Sequence, residues 1–213
     1  ARRGGLANIS FEQGDAAVLP YEDDSFDMVV SRLAIHHFRE PALQIKEMVR
    51  VCKVGHVVGI IDLLSPADED LIEPYNRLER LRDPSHTAAL TGEQLAKAME
   101  RAGLSVSHTD ARDITVDFVR WVETTGTVQE TRAAIRRELE REIAGHGRTG
   151  MRPFTEDGQL TFMQVWSVVI GTKPPNMHLH EDRSSPDRGP WPAAESARAL
   201  PGGRTGIDRA HQG

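Results

Sequence analysis

Seven residues carry side chains that could move a proton or bind a polar ligand: Asp15, Ser31, Arg32, His36, His37, Asp62 and His86. Carboxylates and imidazoles can take protons from hydroxyls and carbon acids, so Asp62, His37 and His86 are weak catalytic candidates. Ordinary caps and loop contacts are the alternative for Asp62 and His86, and a structural pair beside a pocket is the alternative for the two adjacent histidines. These histidines have no further ligands at metal-binding spacing, so we expect no metal site.

Strands and helices alternate in the first third of the chain and must position these residues. Residues 8–14 alternate apolar and polar side chains and predict a short strand, and residues 26–30 predict a second. Residues 41–51 predict a helix with one apolar face that begins at a proline. Residues 57–61 are apolar on both faces, which is typical of a central parallel strand.

The next hundred residues continue this alternation. Residues 66–83 have a helical composition that Pro74 interrupts, and Thr91 starts a further helix as a capping residue. Strands near 105–109 and 160–170 flank a long helical excursion, which suits an antiparallel closing pair. The order predicts an α/β sheet with right-handed crossovers, whose ligands would bind beyond the carboxyl ends of the strands.

Composition limits the class of protein. The 213 residues carry a formal net charge of −6, which argues against a nucleic-acid partner. No apolar run is long enough to cross a membrane, and the single cysteine, Cys52, excludes an internal disulfide framework. We therefore expect a cytoplasmic location. Residues 174–213 hold half of the twelve prolines and predict a disordered tail behind a domain over 1–173.

A series of short motifs keeps one order along the chain: Gly14-Asp15-Ala16, Leu19-Pro20, Ser25-Phe26-Asp27, His36-His37-Phe38, Glu47, Arg50-Val51, Gly55 and Asp62. Their order and spacing resemble the class I S-adenosylmethionine-dependent methyltransferases, especially the group that includes the ubiquinone- and menaquinone-biosynthesis methyltransferases. The resemblance covers about residues 1–173. It implies a Rossmann-like sheet, S-adenosylmethionine as the cofactor and a small-molecule methyl acceptor.

The resemblance also assigns cofactor contacts. It places Asp15 and Ala16 on the adenine side and sets Ser31 and Arg32, at the end of a strand, against the cofactor. A turn or capping role is the alternative for Asp15, and a surface position is the alternative for Arg32. The family has no universal catalytic residue, because the sulfonium is already an activated methyl donor and the protein mainly aligns the reactants.

The chain departs from the family pattern at its start. The family's glycine-rich first loop and the acidic residue that holds the ribose hydroxyls have no counterpart, so we expect a domain without the family's first two strands. The strand over 8–14 would be the family's third and would lack an adjacent partner strand. The strand over 26–30 would be an unpaired edge of the sheet. We accordingly expect this chain to bind S-adenosylmethionine weakly or not at all. The turn Lys53-Val54-Gly55-His56 also lacks the family's second glycine.

Three functions follow as hypotheses. The first is methyl transfer to a small molecule, and the second is a non-catalytic methyltransferase-like module that binds a partner protein. The third, a dinucleotide-dependent oxidoreductase, needs a glycine-rich phosphate loop after a strand. Residues 145–150 fit G-x-G-x-x-G, but they follow a charged helix and precede Pro153, so we interpret them as a helix-terminating loop. The sequence predicts no oligomeric state.

Overall fold

A five-stranded mixed sheet organises the computed structural model, which describes residues 8–175. β1 (Phe26–Arg32) runs parallel to β2 (Cys52–Leu64), and β2 pairs antiparallel with β5 (Gln159–Thr172). β5 also pairs antiparallel with β3 (Ser105–Asp117) and with the short β4 (Phe154–Glu156). The main path across the sheet is therefore β1-β2-β5-β3.

Five helices connect these strands: α1 (Pro41–Val51), α2 (Glu69–Arg82), α3 (Gly92–Arg101), α4 (Phe118–Thr124) and α5 (Gln129–Ile143). Side chains of α1 and α3 share one buried cluster with β2 and β5. Side chains of α2, α4 and α5 share a second cluster with the same two strands. Successive residues of a strand point to opposite faces, so the two clusters cover the two faces of the sheet. No helix in the described range 8–175 is long and apolar enough to span a membrane.

Most of the predicted elements are confirmed. The helix over 41–51 has the predicted bounds, and its apolar face, including Ile45 and Val49, is buried. Thr91 and Gln94 form a complete capping box at the start of α3. The closing strands β3 and β5 are antiparallel, as their separation by a long excursion predicted.

The strand predicted over residues 8–14 is wrong. These residues have no regular secondary structure, and Ile9 and Phe11 are 44% and 79% exposed. A strand needs a neighbour to pair with its backbone, and β1 pairs only with β2 among the described strands. Apolar alternation without a partner strand buries nothing, so the pattern alone does not form a strand here.

Pro74 does not interrupt the helix as predicted. α2 is continuous from Glu69 to Arg82 with Pro74 inside it. An interior proline removes one helical hydrogen bond and costs roughly 3 kcal/mol. The buried side chains that follow it, Tyr75 and Leu78, pack into the second core cluster and offset that loss. Of the predicted tail over 174–213, positions 176 onward lie outside the described residues, and the domain boundary at 173 stays a prediction.

Candidate functional site

The chain leaves β1 through a strained residue. Leu33 has a φ of 51°, which is rare for a residue other than glycine and costs roughly 1–2 kcal/mol. Its N–H donates to the carbonyl of Ile61 at 2.8 Å, which fixes this turn to β2. A short 3-10 helix, Ile35–His37, follows directly. The turn therefore places two adjacent histidines beyond the carboxyl ends of the parallel strands.

Asp62 ties this turn to β2. Its Oδ2 accepts the Ile35 N–H at 2.8 Å, and its Oδ1 accepts the Leu63 N–H at 2.8 Å. His36 Nδ1 lies 2.5 Å from the same Oδ1, and both side chains are buried. A carboxylate that accepts two backbone N–H groups acts as an acceptor for the imidazole as well, so His36 Nδ1 carries a proton. Asp62 consequently holds the loop and orients His36.

His37 and His86 complete a cluster around His36. The ring centroid of His36 lies 4.1 Å from that of His37 and 5.3 Å from that of His86. His37 Nδ1 is 3.1 Å from both the carbonyl oxygen and the hydroxyl of Ser85. The structure thus brings together Asp62, His37 and His86, which the sequence analysis selected separately.

His86 is buried and neutral. Its Nε2 lies 2.7 Å from Asn76 Oδ1, which also accepts the Ala89 N–H at 2.7 Å. Burial, together with the smaller effect of the neighbouring His36, lowers the pKa of His86 to about 3. An imidazole with so low a pKa stays uncharged through the physiological pH range.

The segment around Ser85 is fastened over the histidine pair. The carbonyl of His36 accepts the N–H groups of Thr87 at 2.9 Å and Ala88 at 3.1 Å. The Thr87 hydroxyl donates to the carbonyl of His37 at 2.9 Å. Three hydrogen bonds from Thr87 and Ala88 therefore join this segment to the turn that follows β1, in addition to the contacts of Ser85 with His37.

A cleft of about 800 Å³ opens beside the cluster. Leu33, His36 and His37 form the part of its wall that adjoins β1. The remaining wall comes from β2, α2, α4 and the closing strands, and includes Leu63, Arg82, Arg120, Trp121, Gln164 and Trp166. The size and the mixture of aromatic and polar groups are typical of a pocket for one small molecule.

A buried polar pair supports the cleft. Gln164 Nε2 donates to Glu79 Oε1 at 2.7 Å, and Gln164 Oε1 accepts the indole N–H of Trp166 at 3.2 Å. Burial raises the pKa of Glu79, although the nearby Arg82 opposes that rise. The two hydrogen bonds fix the direction of the Gln164 amide and hold Trp166 at the cleft.

The residues predicted to contact the cofactor lie in two separate parts of the structure, the end of β1 and the turn at Asp15. Ser31 and Arg32 lie at the carboxyl end of β1, opposite Ile60 and Ile61 of β2, and the Arg32 guanidinium is 5.9 Å from the Trp166 ring centroid. Asp15 is exposed in a turn. No hydrogen bond or ion pair within residues 8–175 joins the two places directly.

The turn at Asp15 matches the alternative given for that residue. Asp15 Oδ1 accepts the Ala17 N–H at 2.8 Å, and its carbonyl accepts the Val18 N–H at 3.1 Å. The loop that follows is held by α1, where Glu47 accepts the Leu19 N–H at 2.8 Å. Its cofactor contact therefore stays a prediction. The described part of the chain contains no group of three or more histidine, cysteine or acidic side chains placed to hold a metal ion.

The sequence analysis missed four residues of this site: Asn76, Glu79, Ser85 and Gln164. Asn76 and Glu79 interrupt the buried face of α2 beside Tyr75 and Leu78, and polar residues at such positions signal an internal hydrogen-bond network. Gln164 occupies a similar position within the apolar β5. Nothing in the local sequence around Ser85 indicates its contact with His37.

Known proteins are similar to this chain in sequence and in fold. The model of the methyltransferase domain family matches residues 1–59. The chain is similar to the uncharacterised methyltransferase YcgJ of Bacillus subtilis, with 32% identity over 127 residues that cover 60% of this chain and 50% of YcgJ. It is also similar to the uncharacterised protein YafE of Escherichia coli, with 30% identity over 131 residues that cover 62% and 63% of the two chains.

Solved structures give the same result over more of the chain. The crystal structure of YcgJ superposes with a TM-score of 0.71 at 25% identity and covers 81% of this chain and 74% of YcgJ. A candidate methyltransferase from Bacillus halodurans also superposes with a TM-score of 0.71, at 26% identity and with 78% of each chain covered. The chain is similar to class I S-adenosylmethionine-dependent methyltransferases in sequence over its first part and in fold over about four fifths of its length. It spans about half the length of YcgJ in the sequence comparison.

The similarity to class I methyltransferases includes the arrangement of the sheet. Their Rossmann-like α/β architecture accounts for parallel β1 and β2 with a helix between them. It also accounts for the carboxyl-end position of the cleft, since ligands of doubly wound sheets bind at that edge. The fold alone does not specify the reaction, which depends on the residues around the cleft.

Proposed function

We propose that this protein transfers a methyl group from S-adenosylmethionine to a small-molecule acceptor bound in the cleft. The observation that carries the proposal is the position of the cleft. Its wall begins at Leu33, the first residue after β1, whose end is the predicted cofactor contact. A volume of about 800 Å³ suits one small-molecule acceptor next to that strand end.

The residues on the cofactor side fit an adenosyl group chemically. Asp15 presents an exposed carboxylate, and the adjacent Ala16 N–H has no partner within residues 8–175. An acceptor beside a donor complements the amino group and ring nitrogen on the edge of adenine. When bound, S-adenosylmethionine supplies an activated methyl group on a sulfonium.

The residues around the cleft would orient the acceptor and exclude water. Trp121 and Trp166 provide apolar surfaces, and Arg82 and Arg120 provide cationic donors. Alignment of two reactants in a closed site accounts for a large part of enzymatic acceleration. The expected cytoplasmic location and the absence of nucleic-acid partners belong to the same proposal.

Methyl transfer is tested with isotope-labelled S-adenosylmethionine and a panel of phenols, amines, carbon acids and thiols. We expect a mass increase of one methyl group on at least one acceptor when the open reading frame that encodes these residues is expressed. Trp166→Ala should reduce that transfer, whereas Trp191→Ala, outside the described residues, is the matched control. Transfer to no acceptor, together with no cofactor binding in calorimetry of the whole product of that open reading frame, would contradict the proposal.

A second candidate is a partner-binding module without catalysis. The feature that favours it is the β1 edge, where Met28 and Val30 are 63% and 53% exposed. Among the described strands this edge has no neighbour, and an unpaired strand edge can accept a strand from another segment. Affinity capture that depends on Met28 and Val30, together with absent methyl transfer, would favour this candidate over the first.

A further inference from the structure

We infer that His37 is the general base of the cleft, which suits a methyl acceptor that must lose a proton, such as a hydroxyl compound. This inference rests on the proposed methyl transfer and names its acceptor class. The acceptor oxygen gives its proton to His37 Nε2 and forms the O–C bond with the methyl carbon. The C–S bond breaks with its electron pair on sulfur, which leaves a neutral thioether and a methyl ether.

Hydrogen bonds determine which nitrogen of His37 carries the proton. Nδ1 lies 3.1 Å from the Ser85 carbonyl oxygen, which can only accept, and 3.1 Å from the Ser85 hydroxyl. That hydroxyl donates its single hydrogen to Asp83 Oδ1 at 2.6 Å. Both neighbours of Nδ1 therefore accept, so Nδ1 carries the proton. A neutral His37 then has a bare lone pair on Nε2.

Asp83 keeps the Ser85 hydroxyl pointed away from His37. Burial favours the neutral carboxyl, but hydrogen bonds from the hydroxyl and the N–H of Ser85 outweigh it and lower the pKa of Asp83. The ionised carboxylate can only accept. Asp83 and Ser85 thus act as positioning residues that set the tautomer of His37.

His37 is also the accessible member of its cluster. It is half-buried and lines the cleft, and no residue in the range 8–175 forms a hydrogen bond with its Nε2. Asp62 is 2% exposed and already accepts three hydrogen bonds from within the protein. His86 is 4% exposed, and its Nε2 is hydrogen-bonded to Asn76. His36 is 7% exposed and fixed to Asp62.

Imidazole nitrogen NMR on the ¹⁵N-labelled chain tests the tautomer without any turnover. His37→Gln identifies the His37 signals by their loss. We expect Nδ1 to be protonated and Nε2 to be unprotonated at a pH where the ring is neutral. A protonated Nε2 would overturn the inference. In Asp83→Ala the Ser85 hydroxyl loses its acceptor and is free to donate to His37 Nδ1, so the population of the Nε2–H tautomer should rise.

Kinetics test the chemical role in the expressed open reading frame. His37→Gln keeps an N–H donor for Ser85 but removes the base, and we expect its rate with a hydroxyl acceptor to fall about 100-fold or more. Cofactor affinity should not change, added imidazole should restore part of the rate, and the acidic limb of the pH–rate profile should disappear. His108→Gln, at an exposed position of β3, is the matched control and should keep the wild-type rate.

The outcomes separate this inference from the proposed function. A thiol acceptor that is already ionised needs no base, so its rate should change little in His37→Gln. Equal losses with thiol and hydroxyl acceptors would mean that His37 is only structural, and an unchanged hydroxyl rate would remove it from the reaction. In either case methyl transfer itself stands. Absence of turnover by the wild-type protein with every acceptor would instead overturn the proposed function.

Discussion

His36 Nδ1 lies 2.5 Å from Asp62 Oδ1, and this contact joins the residues that follow β1 to the end of β2. The two side chains are 26 positions apart in the sequence. The parallel pairing of the strands brings them together at one edge of the sheet. The contact organises a cluster in which the ring centroids of His37 and His86 lie 4.1 Å and 5.3 Å from that of His36.

Asp62→Asn should destabilise the fold. The carboxylate accepts from two backbone N–H groups and from His36, and an amide replaces one acceptor oxygen with a donor. We expect the free energy of unfolding to fall by about 3 kcal/mol, because buried donors lose a charged acceptor. Urea denaturation measures the change. Glu100→Gln, on the exposed side of α3, is the control, and an equal effect in both variants would contradict the structural role of Asp62.

Stability should fall as the pH decreases below 6.5, partly because of His86. Its pKa is lowered to about 3 in the folded protein, so the unfolded chain binds a proton that the folded chain does not. One such proton lowers the free energy of unfolding by at most about 1.4 kcal/mol per pH unit. The contribution is present above pH 6.5 and is lost progressively toward pH 3.

The contribution of His86 is isolated by comparing urea denaturation of the wild type and His86→Gln between pH 7.5 and pH 4. We expect the variant to be less stable at pH 7.5 and to lose less stability on acidification. Glu79 has a raised pKa and acts in the opposite direction above pH 4.5, but it is common to both proteins. Parallel pH curves for the two proteins would refute the assignment.

Alanine substitutions at two glycines of the loop after α5 should distinguish the cost of steric overlap from the cost of backbone strain. Gly147 and Gly150 both have positive φ, 98° and 80°. A Cβ at Gly147 would have nothing within 4 Å, whereas a Cβ at Gly150 would lie 2.8 Å from Pro66 Cγ. Gly147→Ala should cost about 1 kcal/mol from backbone strain, and Gly150→Ala should cost about 1–3 kcal/mol more from overpacking. Thermal denaturation of the two variants checks this order.

Lys173 should be essential to the stability of the sheet end. It is 6% exposed, and its Nζ donates to Asp24 at 2.8 Å and to the Cys52 carbonyl at 2.9 Å. Lys173→Met removes the donor to the buried Cys52 carbonyl, whereas the half-exposed Asp24 carboxylate can turn to water, and it should lower the free energy of unfolding by about 1–3 kcal/mol. Lys46→Met on the exposed surface of α1 should have little effect. If the Lys173 variant is as stable as that control, the buried contacts contribute nothing.

The sequence predicted the elements whose partners are nearby in the chain. The single apolar face of α1 and the capping pair Thr91–Gln94 depend on local spacing, and the structure confirms both. The failures depend on distant contacts. Residues 8–14 have strand-like alternation but no described strand beside them, and Pro74 is retained in a helix because its neighbours are buried in the core.

In the site, too, features that depend on local sequence were predictable and features that depend on distant contacts were not. Strand ends could be located from the sequence, and they correctly placed Ser31, Arg32 and the histidine pair at one edge of the sheet. The role of each histidine could not be read from its position, because Asp62, Ser85 and Asn76 assign different hydrogen bonds to chemically identical rings. Such partners are fixed only when the chain is folded.

Three hydrogen bonds from Thr87 and Ala88 to the carbonyls of His36 and His37 join two loops. The loop that contains Ser85 therefore moves together with the turn that carries the two histidines. A displacement that widens the cleft on this side either breaks those bonds or carries both imidazoles along. Movement of the loop that carries Thr87 and Ala88 is thus coupled to the alignment of the two imidazoles in the cleft wall. A loosened loop would misplace the imidazoles even with every side chain intact.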